Sequence, residues 1–332
     1  DFLKTSGWLA GFALTANTLL AEEKTFRREV VGHNDFTYQV DKEWGTQDPR
    51  QYPVMHCHEM VMDHQDRLLL TTTEPRNNIL IYNKDGKIVE SWTLGLSATH
   101  GLTIVGEGTA QSLWLTDTKS GRVINCTLDG RIIRELELPN GILPSKQLFR
   151  PSQTAVAPNG DIYVADGHGS NLIFHYDAKG QFIHAFGGPA FFDVAHGVAV
   201  DTRTTEPTLL ITSRNGQNFQ RWTLDGQHIQ TYQLPGLSIC RPVINGEETY
   251  FAVLSTSDEL SYDGMVAVLD VNMEVTSLPG GNGALPMEDL SNIIYDRRTF
   301  LNPHDVCIDQ DGNLYVPQWF SGRTYPIRLR RV

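Results

Sequence analysis

Short apolar stretches with alternating polar positions recur along the chain, and turn residues separate them. Stretches such as "LTIV" and "IYVAD" are typical of β-strands, because successive side chains of a strand point to opposite faces of a sheet. Asp-Gly and Lys-Gly pairs, as in "NKDGKI" and "DAKGQF", are typical of the turns that join such strands. The pattern predicts an all-β fold.

The strands recur in units of roughly 40 residues, each with about four short strands. A weaker copy runs from about Cys240 to Leu278, and five clear copies begin at His58, His100, Gln153, His196 and His304. One four-stranded sheet cannot bury both of its faces, whereas sheets stacked around an axis can, and that arrangement is a β-propeller. Six copies predict a six-bladed β-propeller.

The last copy stops after its third strand, at "YPIRLRRV". An open ring would leave a strand edge unpaired. The segment "DFTYQVDKEWG", residues 35–45, has strand character and precedes the first copy. We expect it to supply the outer strand of the last blade, so that residues 34–332 form a single closed domain. Residues 279–301 are expected to form an excursion between blades five and six that could cover the central site.

The first residues, "DFLKTSGWLAGFALTANTLLAEE", have a lysine, a mildly apolar stretch and then charged residues. That stretch is too short and too rich in Gly and Thr to be a good membrane span. "DFLK" resembles the second half of the twin-arginine export motif. We expect residues 1–21 to be a signal segment, 22–33 a linker, and the protein to be periplasmic or extracellular. The alternative is an amphipathic N-terminal helix that stays attached.

The overall charge limits the classes of partner. The 332 residues carry a formal net charge of −12, which argues against binding to nucleic acid or to an anionic membrane. A small molecule or a short peptide or glycoside-like substrate is the expected partner. The four cysteines have no CxxC spacing and are expected to be buried small apolar residues; the alternative is an oxidised pair in a periplasm.

The residue that opens the first strand of each copy is most often histidine. The aligned positions are His58, His100, Gln153, His196, a residue near Arg241, and His304. The first strand of each blade lines the central channel, so equivalent residues form a ring around the axis. The chain has only 11 histidines, so four of them in one ring indicate a site.

Blades two, four and six contribute His100, His196 and His304, and alternate blades lie about 120° apart in a six-bladed ring. A single histidine at a strand start is ordinarily a capping or packing residue, but three in alternate blades would converge on the axis. Three protein ligands with an open fourth position are the arrangement of catalytic zinc. We predict a site for Zn²⁺ or another divalent transition metal, since imidazoles suit several.

The stretch "HCHEM" belongs to blade one, outside this three-fold set. His58 could be a fourth ligand, a partner of a ligand or a base in the pocket. Strand periodicity places His56 on the same side, nearer the mouth, and Cys57 on the other.

Several motifs carry a resemblance to a known family: "ATHGLTI", "IYVADGHGSNLI", "AHGVAVD" and "NPHDVCIDQDGNLYV". They resemble the NHL-type six-bladed propeller of peptidyl-α-hydroxyglycine α-amidating lyase over most of the ring. The resemblance implies a zinc ion on the three alternate-blade histidines. It also implies a structural calcium ion on the channel axis, held by the Asp305 carboxylate and the backbone carbonyls of Met60 and Leu102.

The departures from this family fall in the substrate pocket. The tyrosine of the family's "VADGY" motif is His168 here, and an arginine of the family corresponds to Arg214 in "TSRNG". We expect His168 to act as a general base or acid, and the alternative is a solvated turn residue. Arg214 would hold a carboxylate or a developing oxyanion, or forms a structural salt bridge. An arginine expected near Thr73 is missing, and Arg76 is close enough to replace it.

Further residues are expected to bind substrate because the repeat places them at the mouth or in the ring. They are His56, Glu74, Arg76, Gln153, Arg241 and Trp319.

The sequence therefore predicts an exported metal-dependent lyase that cleaves a C–N or C–O bond at a hydroxylated carbon. A metal-dependent hydrolase or lactonase is the second possibility, although calcium propellers of that kind use Asn, Asp and Glu around the metal. The third is a non-catalytic binding propeller whose metal only stabilises the channel.

Overall fold

The computed structural model describes residues 29–143, 147–256, 260–281 and 299–332. In these ranges the chain forms six antiparallel sheets arranged around a central channel, and its only helical element is a 3-10 turn at Gly108–Ala110. The innermost strands of blades one to five lie beside one another in turn, and that of blade six lies beside that of blade one. The predicted six-bladed β-propeller is confirmed.

The strands of the first three blades run outward from the channel in chain order. Blade one contains β3 (Cys57–Met62), β4 (Leu68–Thr72), β5 (Ile79–Tyr82) and β6 (Ile88–Trp92). Blade two contains β7 (Thr99–Val105), β8 (Ser112–Asp117), β9 (Arg122–Thr127) and β10 (Ile132–Glu135). Blade three contains β11 (Gln153–Val156), β12 (Ile162–Ala165), β13 (Leu172–Tyr176) and β14 (Phe182–Gly187).

The other three blades follow the same plan, and the last one also takes strands from the start of the chain. Blade four contains β15 (Ala195–Asp201), β16 (Thr208–Ser213), β17 (Asn218–Thr223) and β18 (His228–Gln233). Blade five contains β19 (Ile239–Asn245), β20 (Glu248–Val253), β21 (Met265–Leu269) and β22 (Val275–Ser277). Blade six contains β23 (Cys307–Ile308), β24 (Leu314–Val316), β25 (Ile327–Arg331), β2 (Phe36–Asp41) and β1 (Val30–His33).

Six apolar clusters fill the six interfaces between neighbouring blades. Between blades two and three, for example, Trp114 packs with Val164 and Phe174, all three almost fully buried. Each cluster combines the facing side chains of two sheets, because alternate residues of a strand point to opposite faces. The blades therefore stabilise one another around the whole ring.

The N-terminal strands close the ring. β2 pairs with β25, with Val40 opposite Leu329, and it corresponds to the segment predicted from the sequence. β1 adds a fifth strand through a tight turn at Asn34, whose φ of +51° suits an asparagine. The sheet thus begins at Val30, inside the stretch expected to be a linker, because this turn lets the preceding residues pair back onto β2.

Three segments predicted from the sequence lie wholly or mostly outside the described residues. The signal segment (1–21) and the first part of the linker lie outside the described residues, as does most of the expected excursion between blades five and six. In the part of the chain that is described, no helix has the length and apolar character needed to cross a membrane.

A bulge lies at the channel end of four innermost strands. In β7 the pairing runs from Thr99 to Leu102, while the partner strand advances only from Asp117 to Leu115. β3, β15 and β19 show the same shift at the same point. Bulges of this kind change the direction of side chains next to functional sites. Here each bulge contains a residue of the predicted ring.

Candidate metal centre

A cavity of about 670 Å³ opens at the end of the channel where the innermost strands begin. Its floor is formed by imidazoles, including those of His58, His100 and His304. Its walls come from the loops between the second and third strands of the blades and from the loops that lead into the innermost strands. Three histidines of the ring predicted from the sequence therefore line this cavity.

The three alternate-blade histidines form a nearly equilateral triangle. The ring centroids of His100 and His196 are 4.8 Å apart, those of His100 and His304 4.8 Å, and those of His196 and His304 4.9 Å. All three residues are buried. The six-fold arrangement of the blades thus produces the three-fold arrangement of side chains that the repeat predicted.

Hydrogen bonds fix the tautomer of two of these imidazoles. Nδ1 of His100 lies 2.8 Å from the Ser152 carbonyl oxygen, and Nδ1 of His304 lies 3.2 Å from the His58 carbonyl oxygen. A carbonyl accepts only, so each Nδ1 carries the proton and each Nε2 presents a lone pair. This is the way in which proteins orient histidines that bind metals.

Two more imidazoles and a thiol complete the cluster. Nε2 of His100 lies 3.1 Å from Nε2 of His168 and 3.2 Å from Nε2 of His196. The His58 ring packs against His100 at 4.4 Å. Possible ligand atoms lie within 4.8 Å of one another in three sets, namely His58, His100 and His304; His100, His168 and His196; and His196, Cys240 and His304. The residues shared between these sets are the three predicted ligands.

Burial keeps the imidazoles neutral. It lowers the pKa of His58, His100, His196 and His304 well below the ordinary value, and the positive charge of Arg214 lowers each of them further. Burial and the charges of Arg214 and Arg150 lower the pKa of His168 to about 3. Neutral imidazole is the form that binds metals.

The cluster fits a divalent transition metal. The lone pair of His100 Nε2 faces two other ring nitrogens, and the buried Nδ1 atoms of His58 and His196 have no hydrogen-bond partner among the described residues. Tetrahedral ligands about 2.1 Å from zinc would lie about 3.4 Å apart, close to the observed nitrogen separations of 3.1 and 3.2 Å. A cation would satisfy several converging lone pairs together.

Cations line the walls of the cavity. Lys119, Arg150 and Arg214 contribute to the lining, and no carboxylate does so among the described residues. Asp117 and Asp166 fix the backbone at two of these cations, because their carboxylates accept hydrogen bonds from the backbone N–H groups of Lys119 and Arg150. In a protein with a net charge of −12 this cavity is a local positive site, suited to an anion.

His56 and Trp319 also line the cavity, and their rings lie 5.6 Å apart. Cys57 points the other way and packs in the core between blades six and one, as the strand periodicity predicted. Trp319 is also 6.4 Å from the ring of His304 and forms an apolar part of the wall next to the imidazoles.

Four residues expected to bind substrate lie outside the lining of this cavity: Glu74, Arg76, Gln153 and, as described below, Arg241. Arg76 is largely exposed and pairs with Glu74 at 2.7 Å, and neither lines the cavity. The Glu74 carboxylate thus holds Arg76 in the turn after β4, outside the lining of this cavity. Gln153 is buried below the imidazoles and donates to the Thr103 hydroxyl at 2.9 Å.

Sequence reasoning missed three residues of this site. Cys240, not Arg241, occupies the ring position of blade five, since Ile239 pairs with Val253 as Thr99 pairs with Asp117. A signal existed for Lys119, because "TDTKSG" places it two residues after an aspartate, as "ADGHGS" places His168. The residues that precede Arg150 do not match the repeat, so the sequence pattern did not identify Arg150 as a residue of this cavity.

The residues on the channel axis do not fit the expected calcium ion. Both carboxylate oxygens of Asp305 accept hydrogen bonds from the Arg241 guanidinium, which also donates to the Met60 carbonyl oxygen. Arg241 thus lies on the axis, not in the substrate cavity, because the bulge in β19 directs it there. Two of the three expected calcium ligands are engaged by a cation of the protein itself.

Comparisons with known proteins agree with this fold. No protein-family model matches the chain. The chain is 30% identical over 267 residues to the probable peptidyl-alpha-hydroxyglycine alpha-amidating lyase pgal-1 of Caenorhabditis elegans, which covers 76% of this chain and 70% of that protein. It is 28% identical over 137 residues to human NHL repeat-containing protein 3, covering 37% of this chain. The chain spans only 40% of the length of that human relative.

The structure is similar to that of streptogramin B lyase, with a TM-score of 0.58, 12% sequence identity, and coverage of 88% of this chain and 97% of the other. At this identity the likeness concerns the fold alone. Fold and repeats define the chain as a six-bladed propeller of the NHL-repeat class. Within that class, the chain belongs to the peptidyl-α-hydroxyglycine α-amidating lyase family.

Proposed function

We propose that this protein is a metal-dependent lyase that cleaves the C–N bond at a hydroxylated carbon, as in a peptidyl-α-hydroxyglycine. The observation that carries the proposal is the triangle of His100, His196 and His304, two of which line a cationic cavity, in a chain whose relatives are named as such lyases. Zn²⁺ or another divalent transition metal would be held by these three imidazoles. When bound, it would supply Lewis acidity at the floor of the cavity.

The side chains around this floor can manage the protons of the reaction. His168 lines the cavity beside His100, so its imidazole is placed to accept the proton of the substrate hydroxyl. The C–O bond then becomes C=O, the C–N bond breaks, and the leaving nitrogen takes a proton. Atoms and electrons balance without an oxidant, because the products are an aldehyde and an amide.

The cationic walls favour a substrate that carries a carboxylate. Arg214 lies close enough to lower the pKa of all the clustered imidazoles, and Lys119 and Arg150 line the same cavity. A hydroxyglycine has its carboxylate on the carbon that bears the hydroxyl. Arg214 would hold that carboxylate while the hydroxyl points to the imidazoles.

The sequence of the first 21 residues supports a further part of the proposal, export to the periplasm or the outside of the cell. The substrate would then be a small molecule or a short peptide met in that compartment.

A direct assay tests the proposed activity. Zinc-loaded protein should release glyoxylate from an N-acyl-α-hydroxyglycine, and His196→Ala should reduce the rate at least about 100-fold because the triangle loses one corner. His184→Ala is the matched control, since His184 lies on the outer strand β14. Full metal occupancy without glyoxylate release would contradict the lyase.

A second candidate function is metal binding without catalysis. His168 lies as close to His100 as His196 does, so four imidazoles could close the coordination. The cobalt-loaded protein separates the two functions. An open site predicts that N-acylglycine changes the visible absorption of bound cobalt, whereas a closed site predicts an unchanged spectrum. A lactonase is less favoured, because no carboxylate lines the cavity in the described part of the chain.

A further inference from the structure

A second layer of the channel lies directly behind the imidazoles. It is formed by the residues that follow the ring positions, and three of them have ionisable side chains: Glu59 in blade one, Arg241 in blade five and Asp305 in blade six. These blades are consecutive around the ring. The side chains of Glu59 and Asp305 are at most 1% exposed, and the side chain of Arg241 is 13% exposed.

The three charged groups form one connected network. Arg241 donates from Nε to Asp305 Oδ1 at 2.8 Å and from Nη2 to Asp305 Oδ2 at 2.7 Å, a two-point pairing of the strong kind. Glu59 Oε2 lies 3.5 Å from Nε of Arg241. The network also binds the neighbouring strands, because Met60 N–H donates to Asp305 at 2.9 Å and Leu102 N–H donates to Glu59 at 2.7 Å.

This network uses the groups that an axial cation would need. Nη2 of Arg241 bonds to Asp305 Oδ2 and, at 3.2 Å, to the Met60 carbonyl oxygen, so one guanidinium nitrogen joins a carboxylate and a backbone oxygen from different blades. Calcium binds by surrounding itself with such oxygens. A divalent cation placed there would lose these ligands to the guanidinium and would lie beside its positive charge.

The neighbouring blade leaves room for this arginine. A Cβ atom at Gly197, the second-layer residue of blade four, would lie 2.3 Å from the Cα of Arg241. Blade five could not approach so closely if blade four carried a side chain at that position. The backbone of both blades is therefore compatible with a guanidinium on the axis.

We propose that the Arg241 guanidinium is the resident cation of the channel axis and replaces the calcium ion that the family resemblance implies. It joins blades five, six and one by ion pairing and hydrogen bonds, which is the task of a structural cation. The proposal concerns the axis alone and holds whether or not the histidine cluster is catalytic.

The wild-type protein provides the first test. Zinc-loaded protein, dialysed against 1 mM calcium and then desalted, should contain far less than one calcium ion per chain by elemental analysis. Its melting temperature should change by less than about 1 °C between zero and 1 mM calcium, since a ligand that does not bind the native state does not stabilise it. No chelator is used, so metal on the histidines stays in place. One bound calcium per chain, or a clear rise in melting temperature, would overturn the proposal.

Arg241→Gln provides the second test. It leaves a buried carboxylate without its partner, so the melting temperature should fall by roughly 10 °C. Calcium at 1 mM should restore several of those degrees, because Asp305, Glu59 and the Met60 carbonyl are then free to bind it. Arg221→Gln is the matched control, since Arg221 is similarly buried and pairs with Asp201, which keeps Arg203.

The two tests have separate outcomes. The Arg221→Gln control, although destabilised, should gain no stability from calcium. If Arg241→Gln folds and calcium gives it no more stability than it gives the control, the guanidinium is not in the place of a calcium ion. If Arg241→Gln does not fold, the wild-type measurements decide alone.

Discussion

At the scale of the residue, the burial of five clustered imidazoles makes the stability of the folded protein depend on pH. In the unfolded chain a histidine binds a proton below about pH 6.5. Burial lowers the pKa of His168 in the folded protein to about 3. Between these values the unfolded state binds more protons, so stability rises with pH through this window and is level above it.

This dependence gives a prediction for the metal-free protein. Its free energy of unfolding should fall as the pH is lowered from 7 to 5, and His168→Gln should make that fall shallower by about one proton, at most about 1.4 kcal/mol per pH unit. Chemical denaturation at several pH values measures both slopes. Equal slopes for the two proteins would show that His168 is not held neutral by the fold.

Residues next to the ring also show where sequence reasoning stopped. Alternation along a strand correctly separated His56 and His58 from Cys57. It could not assign Cys240 and Arg241, because the bulge in β19 inserts a residue and reverses the alternation at that point. Blade five has the weakest copy of the repeat, so its sequence did not indicate where the bulge lies.

At the scale of the element, the N-terminal hairpin determines whether the ring closes. The segment that contains "DFTYQVD" has strand character in the sequence and forms β2, in which Val40 is 7% exposed. Its neighbour β1 was not predicted, because its four residues include none that is fully buried and Val30 is 56% exposed, so it leaves no clear periodic pattern.

This difference gives a matched pair of variants. Val40→Asp places a charge in the cluster between blades five and six and should destabilise the protein by about 3 kcal/mol or more. Val30→Asp makes the same change on an exposed strand and should stay within about 0.5 kcal/mol. Urea unfolding measures both. Similar losses in the two variants would mean that β2 does not close the ring.

At the scale of the whole molecule, a repeated sequence was enough to predict the architecture. Each blade buries its faces only against its neighbours, so every copy keeps the same strand pattern, and six copies define the ring. The same repetition placed His100, His196 and His304 at one end of the channel. The arginine at the axis could not be predicted, because its three contacts join blades that are far apart in the sequence.

The central claim is that the ring of the propeller builds one metal site from three distant histidines. Elemental analysis of the purified protein, loaded with zinc and then desalted, tests it most directly. We predict about one zinc ion per chain in the wild-type protein and in His184→Ala, and at least about ten-fold less in His196→Ala. A wild-type protein that retains no zinc, or a His196→Ala variant that retains as much as the wild type, would contradict the account.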